Sequence, residues 1–158
     1  MYDLIRLVAD DGVNYIDVNE QTDPCYYPVE RFTWTPSMVG DEQPKLAGAG
    51  RHWNFRDIEI MDIVMEGHIK ADSTTQYWQK RDALLNIVQP DAKQLAPFHG
   101  YVMFKRNGDS ETYYQHVHLE HYEIPTEALY PTVTPMRFEW SGLDGYWLKL
   151  SNNQPVKI

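Results

Sequence analysis

Three histidines stand close together, at His116, His118 and His121. On a β-strand side chains alternate faces, so His116 and His118 share one face and Glu120 follows on it. Two imidazoles at that spacing bind zinc when a third ligand converges on them. His121 points the other way unless the strand is bulged, and no second cluster with metal-ligand spacing occurs elsewhere in the sequence. Two readings stand: a metal site, or a polar strand face whose charge follows pH. The second is the expectation, and no metal is assigned.

Carboxylates are the next resource. Asp57, Glu59, Asp62 and Glu66 lie on one strand-like segment. Glycosidase chemistry needs two carboxylates facing each other across a cleft, roughly 5–10 Å apart. Neighbours along one strand supply only one wall, so these four read as an acidic stripe facing solvent or a lumen. The tryptophans, Trp34, Trp53, Trp78, Trp140 and Trp147, offer faces for sugar stacking, but aromatics more often fill cores and interfaces. Cys25 is the single cysteine and excludes an intrachain disulfide. It has no His or Asn beside it in sequence and reads as an inert thiol. GxGxxG, P-loop, GxSxG and HExxH patterns are all absent from the sequence, so neither an enzyme nor a cofactor is expected.

The elements that must position these residues follow from periodicity. Leu4–Val8 and Val13–Val18 read as strands around the Asp10-Asp11-Gly12 turn. Val29–Thr35 alternates, with Phe32 and Trp34 inward. Residues 36–50, PSMVGDEQPKLAGAG, carry no periodicity and read as a long loop, either a floppy surface segment or an arm ordering on a neighbouring subunit. Asp57–Lys70 is a long strand whose apolar parity changes after Ile60, which predicts a β-bulge near Ile60–Met61. Ser73–Val88 is the one helix, with Ser73 and Gln76 at capping-box spacing. Its apolar stripe is Tyr77, Leu84, Leu85 and Val88, with Trp78 at the edge and Arg81 crossing it, and Pro90 stops it. Tyr101–Arg106 and Glu111–Ile124 form a hairpin around Asn107-Gly108-Asp109. A second parity change there predicts a bulge near Glu120–His121. Met136, Phe138 and Trp140 mark a last strand, and Ser151–Ile158 reads as a loose tail or one docked on a partner.

The 158 residues fit one domain, 1–158, with 42% apolar and 13% aromatic residues for a core. The fold class expected is α+β, mostly β. Antiparallel sandwich-like or barrel-like sheets would carry one packed helix, about 73–88, and the 36–50 arm. No apolar run approaches the roughly 20 residues of a membrane span. The acidic N-terminus, MYDLIRLVADDG, lacks the basic start of a secretory signal. The expectation is a protein made and folded in the cytosol, with no membrane partner. The net charge of −9 argues against gripping nucleic acid through its phosphates, though an acidic wall lets DNA slide past without sticking.

The order of these features resembles the N-terminal module of bacteriophage distal tail proteins. Three stretches carry the resemblance: DIEIMDIVMEGHIKADSTTQYWQKRDALLNIVQP, the hairpin from Gly100 through Tyr122, and TPMRFEWSGLDGYW. Tail tube and other baseplate proteins share the same general plan. The resemblance implies a virion structural protein forming a hexameric ring around a DNA channel. Its partners would be copies of itself, the tail tube, and the tail tip or baseplate hub. Under that reading Pro36, Met38, Val39, Pro44, Leu46 and Trp53 become subunit-interface residues, and Asp57, Glu59, Asp62 and Glu66 line the lumen. Many members of that family carry an added C-terminal domain. The resemblance here covers the ring module alone and assigns neither that added domain nor a host-binding role. A β-rich carbohydrate-binding module is the alternative.

Overall fold

Alternating apolar residues make most of this chain strand, and the turns fall where glycine permits them. The structure is a computed structural model that describes residues 2–44, 51–89, 100–125 and 133–156, with 37–44 and 51–59 described by backbone alone. In chain order the elements are β1 (Tyr2–Val8), β2 (Tyr15–Val18), β3 (Val29–Pro44), β4 (Arg51–Lys70), α1 (Thr74–Val88), β5 (Tyr101–Arg106), β6 (Tyr113–Glu123), β7 (Val133–Gly142), β8 (Trp147–Lys149) and β9 (Pro155–Val156). All pairings among the described strands are antiparallel. The fold is mostly β with one packed helix, as the periodicity predicts.

Both sequence-predicted hairpin turns form. Gly12 takes φ 70°, and the Asp11 carboxylate accepts from the amides of Val13 and Asn14 at 2.8 and 2.9 Å. Gly108 takes φ 78°, a left-handed conformation that glycine adopts without penalty. Beside it Asp109 accepts from the Glu111 amide at 3.1 Å and from the Tyr113 hydroxyl at 2.9 Å. The helix is capped as expected: Ser73 Oγ accepts from the Gln76 amide at 3.2 Å. Gln76 Oε1 accepts from the amide of Asp72 rather than Ser73, so the capping box closes one residue early. Tyr77, Leu84, Leu85 and Val88 are the buried stripe, and α1 packs on β1, β2 and β4.

The strands form one strip in the order β2-β1-β5-β6-β7-β4-β3, with β8 on β6 and β9 on β8. The strip folds over on itself. Phe32 of β3 lies 5.8 Å from Phe104 of β5 and 6.3 Å from Trp147 of β8, ring centre to ring centre. Trp34 stacks on Phe104 at 5.1 Å. Strand β6 joins the two halves, pairing β5 and β8 through its first residues and β7 through its last.

Bulges occur where parity changes. Leu119 faces Trp140 and His121 faces Glu139, leaving Glu120 as the extra residue. Tyr122 thereby joins the inward row and stacks on Phe138 at 6.1 Å. On β4, Ile60 faces Ser37 and Ile58 faces Met38, so Glu59 is extra, one residue from the predicted position.

Two expectations are corrected. Residues 36–44 are not loop; they continue β3 and pair with β4 as far as Pro44↔Arg51. The partner strand supplies backbone hydrogen bonds that these residues' own propensities do not announce. Residues 45–50 lie outside the described residues. The tail is not loose over 155–156, where Pro155 and Val156 pair with Leu148 and Trp147, and Ser151 Oγ donates to Glu111 Oε2.

Phe104 is fully buried and lies against five other aromatic rings, those of Tyr2, Phe32, Trp34, Tyr113 and Trp147, so Phe104→Ala should lower the unfolding free energy by about 3–5 kcal/mol. Leu150→Ala, at a half-exposed position, should cost under about 0.5 kcal/mol by the same urea titration. The hydrogen bonds to Asp109, foremost from the Glu111 amide, hold its carboxyl below its ordinary 3.8. A depressed carboxyl stabilises above its unfolded pKa, and that contribution disappears as pH falls through the folded value. Urea midpoints of Asp109→Asn should therefore fall less steeply than those of the parent below about pH 4.

Candidate assembly interface

The hairpin of β3 and β4 has two parts with different surroundings. Its root, Val29–Pro36 against Met61–Gly67, lies in the body of the sheet, where β4 also pairs with β7 from Met61 to Lys70. Its outer part, Ser37–Pro44 against Arg51–Ile60, has no other strand beside it among the described residues. Eight register pairs make up this ribbon, a reach of roughly 25 Å at strand spacing. An isolated two-stranded ribbon is marginal in water.

The sequence-predicted interface residues map onto this hairpin. Pro36 is exposed at the root, opposite Met61; Met38 faces Ile58, Val39 faces Asp57, Pro44 faces Arg51 and Trp53 faces Glu42. Leu46 lies outside the described residues. At the root, Ile60 and Leu143 follow the Met61↔Gly142 pair outward and remain 38% and 43% exposed. They add apolar surface beside the ribbon, and periodicity had not singled them out.

The acidic residues divide. Asp57 sits in the ribbon register opposite Val39, and Glu59 is the bulge residue, so the strict alternation that would put both on one face is interrupted. Asp62 is exposed, opposite Thr35 and Ser141. Glu66 is neutralised: its carboxylate lies 3.1 Å from Arg137 and 3.5 Å from Arg31. Cross-strand register creates this triad, because Glu66 faces Arg31 on one side and Arg137 on the other. Without the register, the sequence shows only three separate charges.

The histidines do not converge. His116 Nδ1 lies 2.8 Å from Asp144 Oδ2, which also accepts from the His116 amide at 2.8 Å. This carboxylate pins the 143–146 turn to β6. His118 lies 3.5 Å from Glu120, and His121 3.2 Å from Glu123. Among the described residues no three His, Cys, Asp or Glu side chains are grouped to hold a metal. Among the described side chains the tryptophans make no sugar platform: Trp140 and Trp147 are buried, and Trp34 packs against that core; the Trp53 side chain lies outside the described ones. Trp78 is 38% exposed on the helix edge. Cys25 is partly buried. No helix among the described residues is long and apolar enough to cross a membrane.

No family model matches the sequence, and no curated protein matches it. Among solved structures the chain is similar to the Dit (gp 19.1) protein of phage SPP1, described as a paradigm of the hub adsorption apparatus in Gram-positive-infecting phages. The superposition has a TM-score of 0.59 at 11% identity and covers 92% of this chain and 52% of that one. This chain thus spans about half the length of that protein. The likeness is one of fold.

If the ribbon is uncovered in the separated chain, its amides should exchange with solvent faster than those of the doubly paired segment. Hydrogen-exchange mass spectrometry of dilute protein should show residues 61–70 protected roughly a hundredfold more than 51–58. Equal protection would mean that the ribbon is covered within the single chain.

Proposed function

We propose that this chain is a structural, non-catalytic component of a phage tail, acting as a distal tail ring adaptor. It joins the tail tube to the tail tip or baseplate and leaves a central channel for DNA. The observation that carries this reading is the fold likeness to the SPP1 Dit protein over 92% of the chain, combined with a ribbon that has no covering strand of its own.

The mechanism is assembly. The ribbon reaches onto a neighbouring copy, and the apolar surface at its root, with Pro36, Ile60 and Leu143, becomes buried there. Strand β3 ends the sheet, and its edge finds a partner strand in the ring, which removes an aggregation hazard. Ring closure follows from a head-to-tail contact whose rotation completes a circle, with six copies as the expected number. Asp57, Glu59 and Asp62 supply the acidic wall of the channel, where repulsion keeps the phosphate backbone from sticking. Glu66, held between two arginines, contributes little free charge to that wall. The protein's place is the virion tail, assembled in the host cytoplasm.

Native mass spectrometry and negative-stain images of the purified chain test this reading. Six-fold rings with an open centre are expected. Replacing residues 38–59 with Asn-Gly joins Ser37 to Ile60 through a two-residue hairpin loop. That variant should keep its far-ultraviolet circular dichroism and lose the rings. Normal rings from it would remove the ribbon from the assembly, and stacked tubes from the parent chain would make it a tube protein instead.

A further inference from the structure

An asparagine or aspartate followed by glycine carries chemistry of its own. The glycine amide nitrogen can attack the preceding side-chain carbonyl carbon, and no Cβ stands in its way. Three such pairs occur in the sequence, each in a turn: Asp11-Gly12, Asn107-Gly108 and Asp144-Gly145. Their glycines adopt nearly the same backbone, with φ of 70°, 78° and 70°. What engages the neighbouring side chain separates them.

Asp11 is bound through both oxygens. Oδ1 accepts from the amides of Val13 and Asn14, and Oδ2 accepts from the Asn14 side-chain amide at 2.5 Å. The Gly12 amide is engaged as well, donating to the Ala9 carbonyl at 3.0 Å. Asp144 Oδ2 is held by the His116 ring and by the His116 amide, each at 2.8 Å. Asn107 has no such partner. Its side chain is exposed and makes no hydrogen bond among the described residues. The Gly108 amide has no acceptor either, because the turn is closed by the Asp109 amide donating to the Arg106 carbonyl at 3.0 Å. Space beside Gly108 is open: a Cβ there would meet nothing within 4 Å. Nucleophile and electrophile are thus neighbours, both unengaged and both open to water.

We propose that Asn107 is a site of spontaneous deamidation through a cyclic imide with Gly108. Hydroxide takes the Gly108 amide proton, and the nitrogen bonds to Asn107 Cγ. That proton, returned through water, lets the side-chain nitrogen leave as ammonia, and a five-membered succinimide remains. Water then opens the ring. Attack at Cγ gives aspartate; attack at the backbone carbonyl carbon gives isoaspartate, whose main chain runs through Cγ. Either product adds one negative charge two residues before Asp109. Isoaspartate also lengthens the main chain by one carbon between Arg106 and Asp109, which the turn's hydrogen bond cannot span unchanged. Asp109 then loses its place under the Glu111 amide and the Tyr113 hydroxyl, so the modification loosens the β5–β6 turn. The site stands independently of the ring reading.

Ageing the full chain in mildly alkaline native buffer tests this. Peptide mass spectrometry with electron-transfer fragmentation separates isoaspartate from aspartate. The Asn107 peptide should deamidate before those holding Asn14, Asn19, Asn86, Asn152 and Asn153, at a rate proportional to hydroxide concentration. Asn107→Gln needs a larger ring for the same attack, so it should lose the isoaspartate signal and keep the parent's circular dichroism. The urea midpoint of the parent should fall as isoaspartate accumulates, while that of aged Asn107→Gln should stay in place. Deamidation at Asn107 no faster than at the other asparagines would overturn the site. Deamidation that appears only in urea would also overturn it, because the folded turn would then hold Asn107 away from Gly108. A parent midpoint that stays in place despite isoaspartate would overturn the loosening of the turn.

Discussion

The packing of β3 against β5 and β8 through Phe32, Trp34, Phe104 and Trp147 is the contact on which the rest of the molecule depends. β3 ends the strip. Without these rings its root would hang from β4 alone. Edge-to-face contacts of 5.4 Å between Trp34 and Trp147 and 4.6 Å between Phe104 and Trp147 tie the strip's end back to its middle. Such pairs add to the burial of their large apolar surfaces. Fixing the root fixes the direction in which the ribbon leaves the body. A hinged root would make an arm that searches; a clamped root makes one that points.

Strand β6 meets a second demand of the same geometry. It pairs with different neighbours along its length, so its inward row must serve both halves of the sheet. The extra residue Glu120 reconciles them by moving Tyr122 onto the row that faces Phe138. Gln115 also sits on the inward row and is fully buried, its Nε2 3.1 Å from the Met61 sulfur. Gly142 lies against it: a Cβ there would fall 2.2 Å from Gln115 Oε1. A polar side chain and a missing one thus occupy a single place at the junction.

Much of this was legible in the sequence because period-two alternation is a strict rule. The parity changes after Ile60 and around Glu120 have no explanation other than an inserted residue, and the bulges occur at Glu59 and Glu120. The Asp-Gly and Asn-Gly turns and the Ser73 cap are equally local. The ribbon was not legible, because Pro36, Gly40 and Pro44 are weak strand formers and the pairing that holds them comes from residues 51–61. The same holds for Pro155–Val156, which pairs only because β8 stands in place. The site residues follow the same division. Pro36, Met38 and Val39 fall on the projecting hairpin, yet the Arg31–Glu66–Arg137 triad depends on cross-strand neighbours that no spacing reveals.

The two extra residues on the ribbon's β4 side, Glu59 and Arg56, matter beyond register. One rail of a two-rail track is longer than the other, so the track bends, with the longer rail on the outside. A bent arm fits a circle of limited radius. In the proposed ring, circumference would be encoded in the difference between two strand lengths. Removing one of those residues would then alter how many copies close the proposed circle rather than how tightly each pair holds.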